Sequence, residues 1–423
     1  MWTEENTAQH SEREDHVEQV SIESITQRAQ RCGVCGERPE AVLDLPGLPL
    51  TGLYAKAFNN ESVAGIDQHL AVCPSCGHGQ LVYQVRPSLL YGESYSFRTS
   101  VSDTAKQGTG FFLSKLRELS ADRSFHRVLD VGCNDLHLLR QLDGWVESRV
   151  GIDPVWNADE KRQAQPDERD ARINVIGATV EEVDLPQALE APPDLVLCRH
   201  TLEHIGDPRA ALSKLFEAST EDALFLFEVP GFEALVRRLR FDHVFHQHVQ
   251  YFSLSSFQRL LGEVGFHYRA HWVNYHEWGA LVMAFVKQRG GGLRQADEAP
   301  PAVTPASVQA AYELFRRQMA STNEVLSTFE GTRVYGYGAA AMLPILAYHL
   351  GNDLSLLTAV LDDDPTKDGL HYGNLPLTIR SPSGVADLEG ASIFLTALDN
   401  VKPILTKLLA RRPKHIIYPL HLI

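Results

Sequence analysis

Four of the six cysteines form two pairs whose spacing suits a metal ion. Two residues separate Cys32 from Cys35 and Cys73 from Cys76, and a glycine follows each pair. Two turns of this kind supply four thiolates, the donor set of structural zinc. Two disulfides or a redox dithiol are the alternatives, but an expected cytosolic location disfavours disulfides and a redox pair leaves the duplication unexplained. We therefore expect a zinc ion that stabilises folding and takes no part in catalysis, since four protein ligands leave no open position.

Two dense groups of histidines are candidates for acid–base chemistry. One contains His200 and His204, and the other contains His243, His246 and His248. Imidazole accepts a proton near neutral pH, so such a group at the end of a strand can supply a general base. A catalytic metal held by either group is an alternative, although no Asp/Glu pair completes it. For any single histidine, hydrogen bonding inside the core carries equal weight.

A third candidate is a glycine turn between an apolar run and a helical pattern. The run ends in Asp130, and Gly132 and Asn134 follow in a turn that lets backbone approach the amino-acid part of a nucleoside ligand. Asp153 ends the next apolar run, where its carboxylate can accept hydrogen bonds from both ribose hydroxyls. The full dinucleotide glycine fingerprint is absent, which disfavours a dinucleotide, and an ordinary strand–helix unit is the simplest alternative.

The elements that must position these residues follow an alternating order. Apolar runs of strand length alternate with segments of helix length between residues 127 and 228, which predicts a doubly wound α/β fold with a parallel sheet. Apolar spacing predicts helices over 104–119 and 308–329. A second α/β unit begins at residue 333. The predicted strands are 80–85, 127–131, 150–153, 173–176, 194–198, 223–228, 357–361, 393–396 and 415–418.

Composition limits the classes of partner. The formal net charge is −15, from 54 acidic and 39 basic residues, which disfavours nucleic acid as the main partner. A small phosphorylated molecule remains compatible, because helix N-termini can hold it. No apolar stretch approaches the length of a membrane span, and residues 1–23 lack the apolar region of a signal peptide. We therefore expect no membrane contact and a cytoplasmic location.

The motifs resemble those of known methyltransferases. Asp130, Gly132 and Asp153, followed by the run at 194–197, are similar to the ordered motifs of class I S-adenosylmethionine (SAM) methyltransferases. Nearly all of the chain after the N-terminal tail resembles the three-domain sugar C-methyltransferases that act on nucleotide-linked deoxysugars. The segments that carry this resemblance are the two cysteine pairs and residues 95–100, 228–230, 242–253, 335–341, 362–369 and 373–376.

The resemblance implies a domain organisation and its ligands. It implies a small zinc-binding domain, a Rossmann-like SAM methyltransferase core and a C-terminal Rossmann-like α/β domain that helps to hold a nucleotide sugar. SAM and structural zinc are the implied cofactors, and we expect a monomer or dimer. The expected divisions are a solvated tail at 1–25, the zinc-binding domain at 26–86, the methyltransferase domain at 87–289, a Gly-, Pro- and Ala-rich linker at 290–307 and the C-terminal domain at 308–423.

The resemblance also implies a reaction and its residues. Methyl transfer goes to a sugar carbon beside a 4-keto group, so a base must remove a proton and a donor must stabilise the enolate oxygen. His248 matches the family's proposed base, and His204 matches its other catalytic histidine. The implied sets are Tyr95, His204, His246, Gln247 and His248 for catalysis, Asp130, Gly132, Asn134, Asp153 and His200 for SAM, and Tyr335, Gly336, Gly338, Asp362 and Lys367 for the substrate.

Several departures from the family pattern concern the acceptor side. Gln247 stands where the family has glutamate, and Phe245 and Phe97 stand where it has tyrosine. Residues 276–281 replace the family's His-Gly-Gly-Ser-Leu-Arg, and Leu136 replaces a glycine. Methyl transfer is therefore a safer expectation than the keto-sugar acceptor. An O- or N-methyltransferase is the alternative enzyme, and a non-catalytic protein that binds SAM or a nucleotide sugar is the alternative of another class.

Overall fold

The computed structural model describes residues 25–56, 65–86, 90, 98–120, 123–156, 172–288, 301–385 and 388–420. In these ranges the strands form three sheets of four, seven and five strands and two two-stranded ribbons. The expected tail, apart from residue 25, and the linker up to residue 300 lie outside the described residues. No helix in the described ranges has both the length and the apolar character that a membrane crossing requires.

The N-terminal region is an antiparallel sheet with two short ribbons beside it. Its central strands β2, β4 and β5 pair in the order β5-β4-β2. The predicted strand over 80–85 is divided at Val82, because the amide side chain of Gln68 bonds both the N–H (3.0 Å) and the carbonyl (2.8 Å) of Tyr83. The strands are β1 Ile25–Arg28, β2 Glu40–Leu48, β3 Tyr54–Ala55, β4 Ile66–Val72, β5 Gly79–Leu81 and β6 Tyr83–Val85.

The central region confirms the doubly wound α/β prediction. Its seven strands lie in the order β13-β14-β11-β10-β7-β8-β9, with β7 to β11 parallel and β14 antiparallel to both neighbours. This is the class I methyltransferase arrangement. The strands are β7 Phe125–Val131, β8 Val146–Ile152, β9 Ile173–Ile176, β10 Leu195–Arg199, β11 Leu224–Val229, β13 Phe266–Asn274 and β14 Ala280–Lys287, and β12 Gln250–Tyr251 lies outside this sheet.

Two of the longer helices of this region, α4 and α6, begin at side-chain caps. Asp207 accepts a hydrogen bond from the Ala210 N–H at 3.0 Å, and Ser253 forms a capping box with Ser256. The helical pattern expected after Leu136 ends already at Arg140. The helices are α1 Asp103–Ser120, α2 His137–Arg140, α3 Leu185–Ala188, α4 Pro208–Ala218, α5 Phe232–Arg238 and α6 Leu254–Val264.

The C-terminal region is a second parallel sheet, in the order β18-β16-β15-β19-β20. Its first helix begins at Pro305, inside the expected linker, because Thr304 accepts a hydrogen bond from the Ser307 N–H at 3.2 Å and caps the helix there. The elements are α7 Pro305–Ser327, β15 Val334–Tyr337, α8 Leu343–Leu350, β16 Val360–Leu361, β17 His371–Tyr372, β18 Ile379–Arg380, β19 Ser392–Leu395, α9 Val401–Arg411 and β20 His415–Ile417.

The three regions share strands and core. Strand β12 adds to the edge of the N-terminal sheet by pairing with β5, and β17 pairs with β3. Leu43 and Leu45 of β2 belong to the same buried cluster as Phe315 of α7. Elements from distant parts of the sequence therefore fix the regions against one another.

A buried ionic network also joins the central and C-terminal regions. Arg240, which is 4% exposed, donates to both carboxylate oxygens of Asp242 at 2.8 Å and to Asp399 Oδ1 at 2.6 Å. His243 Nε2 lies 3.2 Å from the same Asp399 oxygen. Because Asp399 follows β19, this arginine connects the end of α5 to the C-terminal sheet.

Replacing Arg240 with alanine should lower the free energy of unfolding by about 3 kcal/mol, since Asp242 would keep a buried charge without its partner. Thermal unfolding followed by circular dichroism measures this as a lower midpoint. The matched control is Arg237→Ala, an exposed arginine at the end of the same helix. Equal midpoints for the two variants would contradict the assignment.

Candidate functional site

The four paired cysteines lie together in the N-terminal region. The Sγ atoms of Cys32 and Cys76 are 3.6 Å apart, and those of Cys35 and Cys73 are 3.4 Å apart. All four Sγ atoms lie within 4.8 Å of one another. All four are free thiols. Sulfurs bound tetrahedrally to zinc at about 2.3 Å are separated by about 3.8 Å, so the cluster fits a single zinc ion.

Both cysteine pairs adopt the same turn. In the first pair, the N–H of Cys32 donates to the carbonyl five residues later, and the N–H of Gly36 donates to the carbonyl of Cys32. In the second pair, Cys73 and Gly77 make the equivalent two bonds, and all four bonds are 2.8 to 2.9 Å long. Gly36 and Gly77 have φ of 74° and 70°, the left-handed region in which glycine is favoured. Four thiolates this close together repel one another, so a bound cation is needed to hold them together.

The glycine turn after β7 contacts the end of β8. Gly132 has φ of 82°, and a Cβ at this position would lie 1.9 Å from Thr201 Oγ1. The N–H of Asn134 donates to Asp153 Oδ2 at 2.8 Å. Asp130 is 2% exposed, and burial raises its pKa to about 7. The turn and the Asp153 carboxylate therefore meet at the carboxyl end of the sheet, which fits the amino-acid part and the ribose of SAM.

Two neighbouring groups hold this turn in place. Trp156 Nε1 donates to the carbonyl of Asn134 at 2.7 Å, and the N–H of Ser100 donates to Asp135 Oδ2 at 2.9 Å. Residues 98–100 thus lie against the turn. Tyr95 and Phe97 lie outside the described residues, so the catalytic assignment of Tyr95 stays a prediction.

A buried arginine at the end of β10 organises the neighbouring strand ends. Arg199 donates to Glu228 Oε2 and Glu277 Oε2 at 2.5 Å each and to Thr109 Oγ1 at 2.9 Å. Asn274 Nδ2 donates to the other Glu228 oxygen at 2.7 Å. This network could not be predicted from the sequence, because its partners are far apart along the chain and each belongs to an otherwise ordinary element.

His200 follows this arginine in a left-handed conformation, with φ of 48°. Its Nδ1 lies 3.4 Å from Glu203 Oε1, and its Nε2 lies 3.4 Å from Glu277 Oε2. Burial lowers the pKa of His200, but the two carboxylates outweigh burial and hold it well above its usual value. His200 is therefore positively charged at neutral pH, and its assignment to SAM binding stays a prediction.

His204 and His248 form an edge-on ring pair with centroids 5.0 Å apart. His204 Nδ1 lies 2.8 Å from the carbonyl of Gln247, which can only accept, so Nδ1 carries the proton and Nε2 presents a lone pair in the neutral ring. His248 is 8% exposed and packs on Phe245, 4.2 Å between centroids. Burial and then the neighbouring histidines lower the pKa of His248 well below its usual value.

The other two members of the expected catalytic set face the N-terminal region. His246 Nε2 donates to the carbonyl of Leu48 at 3.0 Å, and its Nδ1 lies 3.4 Å from Gln68 Nε2. Gln247 Oε1 accepts from Thr51 Oγ1 at 2.8 Å. The structure thus brings His204 and His248 together, whereas His246 and the Gln247 side chain contact the N-terminal region instead.

Three of the five expected substrate residues meet in the C-terminal region. Gly338 has φ of 95° after β15, and the next N–H, from Ala339, donates to Asp362 Oδ2 at 2.6 Å. Lys367 Nζ donates to the carbonyl of Ala339 at 2.9 Å. Tyr335 and Gly336 lie within β15 and are buried in the sheet.

A cleft beside this turn is shared by two regions. Asp242 from the central region lines it together with Ala340, Thr396 and Asp399 from the C-terminal region. An elongated ligand held there would contact both regions.

Purified protein should contain one equivalent of zinc, and Cys73→Ser should contain less than about half an equivalent, because one of four ligands is lost. Metal analysis by mass spectrometry makes the comparison. Cys133→Ala removes a buried cysteine outside the cluster and should keep the full equivalent. Full zinc content in Cys73→Ser would contradict four-cysteine ligation.

Comparisons with known proteins agree with both halves of this description. Residues 105–271 match the family described as "Methyltransferase domain", and residues 32–91 match the family described as "Putative zinc binding domain". The chain is 26% identical over 275 residues to the C-methyltransferase NovU of Streptomyces niveus. That match covers 62% of this chain and 62% of NovU, less than two thirds of the relative's length.

Solved structures match at lower sequence identity. The N-methyltransferase NodS of Bradyrhizobium japonicum, in complex with S-adenosyl-L-homocysteine, is 12% identical, with 45% of this chain and 91% of NodS covered and a TM-score of 0.34. YcgJ of Bacillus subtilis is 16% identical. The match covers 43% of this chain and 100% of YcgJ, with the same TM-score of 0.34. From its sheet order and the two family matches, the chain carries a class I SAM-dependent methyltransferase domain preceded by a zinc-binding domain that contains the four clustered cysteines.

Proposed function

We propose that the protein transfers the methyl group of SAM to a carbon beside the keto group of a nucleotide-linked deoxysugar. One observation carries the proposal: the glycine turn and the histidine pair are linked through Thr201. Its hydroxyl donates to the Val131 carbonyl at 3.2 Å and lies against Gly132, and His204 follows three residues later. In this proposal, SAM bound at the turn supplies an electrophilic methyl group, and the histidine pair prepares the acceptor to attack it.

The tautomer of His204 supports a role for the pair in removing the acceptor proton. The Gln247 carbonyl holds the proton on Nδ1, so His204 Nε2 can accept a hydrogen bond from His248. A ring nitrogen of His204 lies within 4.8 Å of a ring nitrogen of His248. The second nitrogen of His248 then accepts the proton from the sugar carbon, and the enolate attacks the methyl group in line. His204 thus positions His248, the proposed base.

The substitution of glutamine for the family's glutamate has a limited effect in this arrangement. The side-chain oxygen of Gln247 accepts a hydrogen bond from Thr51, and the main-chain carbonyl of Gln247 bonds His204. The charge at position 247 is therefore not required to orient the pair. This supports carbon methylation in spite of the departure from the family pattern.

The shared cleft supports a nucleotide-linked acceptor. The turn at Gly338, with Asp362 and Lys367 around it, follows the first strand of the C-terminal parallel sheet, where Rossmann-like sheets bind nucleotides. A sugar attached to a nucleotide held there could extend past Asp242 toward the histidine pair. The nucleotide would then bind to the C-terminal region and the reacting sugar to the central region.

Gly132→Ala should weaken SAM binding at least tenfold, because the added Cβ meets Thr201 and the left-handed backbone becomes strained. Isothermal titration with SAM measures the effect. Gly144→Ala is the matched control, since its φ of 73° carries the same strain with no atom within 4 Å of the new Cβ. Equal affinities for the two variants would show that the turn does not contact SAM.

His248→Gln should abolish deuterium exchange at the carbon beside the keto group of a nucleotide-linked 4-keto sugar, because no base remains to remove the proton. Nuclear magnetic resonance of the sugar in D₂O with protein and S-adenosylhomocysteine detects the exchange. His276→Gln, at an exposed histidine, should exchange like the unchanged protein. Methyl transfer to oxygen or nitrogen without any carbon exchange would replace the proposed reaction with the alternative one.

A further inference from the structure

Glu203 is a buried carboxylate that the proposed reaction does not use. It is 1% exposed, and neither of its oxygens receives a hydrogen bond within the described residues. The cationic His200 is its ion-pair partner, but its Nδ1 lies 3.4 Å from Oε1, which is longer than a strong charged hydrogen bond. A buried carboxylate whose oxygens accept no hydrogen bond is unfavourable, and a bound cation would stabilise it further.

The two histidines of the pair complete a donor set around this carboxylate. One oxygen of Glu203 and one nitrogen each of His204 and His248 all lie within 4.8 Å of one another. His204 gives its other ring N–H to the Gln247 carbonyl at 2.8 Å, which is how metal-binding imidazoles are commonly oriented. Two imidazoles and one carboxylate suit a divalent transition metal.

A neighbouring set shows why this cluster differs from an ordinary ionic network. His200, Glu228 and Glu277 also offer three donor atoms within 4.8 Å. There, however, Arg199 donates a charged hydrogen bond to each of the two carboxylates at 2.5 Å. Glu203 has no such arginine among the described residues.

We propose that Glu203, His204 and His248 bind a divalent transition-metal ion through two imidazole nitrogens and one carboxylate oxygen. Three protein ligands leave a coordination position open, in contrast to the cysteine cluster. The ion occupies the nitrogen lone pairs that the proposed proton transfer needs, so the metal-bound form does not deprotonate the acceptor. Binding itself requires neither SAM nor sugar.

Cobalt(II) titrated into the full-length, zinc-loaded protein tests this site by its visible absorption. We expect one added equivalent with weak d–d bands and no intense sulfur-to-cobalt charge transfer, since the donors are nitrogen and oxygen. Glu203→Gln should raise the apparent Kd at least tenfold, and Glu233→Gln should leave it unchanged. Glu233 is the matched control, because it is a half-buried carboxylate that caps the Leu254 N–H at 2.8 Å.

His204→Asn is the second variant, because asparagine can keep the hydrogen bond to the Gln247 carbonyl while losing the metal-binding nitrogen. It should bind cobalt as weakly as Glu203→Gln. Charge-transfer bands alone, or an unchanged Kd in both folded variants, would overturn the metal site. Methylation is assayed separately, so a protein that methylates but binds no second metal contradicts only this inference, and the reverse result contradicts only the proposed function.

Discussion

The buried charge of Arg199 is the interaction on which the proposed active site depends. Its side chain is 9% exposed, and it contacts Glu228 on β11, Glu277 after β13 and Thr109 on α1. Removing one partner of such a buried pair costs about 3–5 kcal/mol, so these four elements are held in one arrangement. His200 follows Arg199 directly in the chain. The anchored arginine therefore also fixes the position of the residues that follow, including Thr201 and His204.

The histidine pair is also held from outside the methyltransferase sheet. His246 and Gln247 bond Leu48 and Thr51 of the N-terminal region, which fixes the segment that carries His248. Gln250 accepts from His78 at 2.9 Å and donates to the Ile205 carbonyl at 3.1 Å. Because His78 lies two residues after Cys76, the turn of the second cysteine pair helps to position the segments that carry His204 and His248.

The parts of the site that the sequence predicted are those fixed by neighbours along the chain. The cysteine pairs and the turn at Gly132 are local motifs, and their spacing alone determines which atoms converge. Asp153 was predicted because parallel strands end at the same edge of a sheet. The sequence also indicated the order of the core elements, since each run of apolar residues has the length of a strand.

What the sequence missed depends on contacts between distant segments. Arg199 and Glu277 are 78 positions apart, and nothing in either segment indicates their pairing. The sequence does not single out Glu203, because its burial depends on how distant segments pack around it. Strand β14 is buried at all eight residues and therefore lacks the alternating pattern that predicts a strand. The contiguous domain divisions also gave no sign that β12 and β17 join the N-terminal region.

The proposed reaction requires one pocket that presents the methyl donor to the histidine pair. A crystal structure of the protein with S-adenosylhomocysteine is the direct test. We expect the ribose hydroxyls to bond Asp153, the amino-acid part to lie against the backbone at Gly132 and the sulfur to face His204 and His248. A nucleoside bound elsewhere, or a sulfur separated from both imidazoles by other side chains, would contradict it.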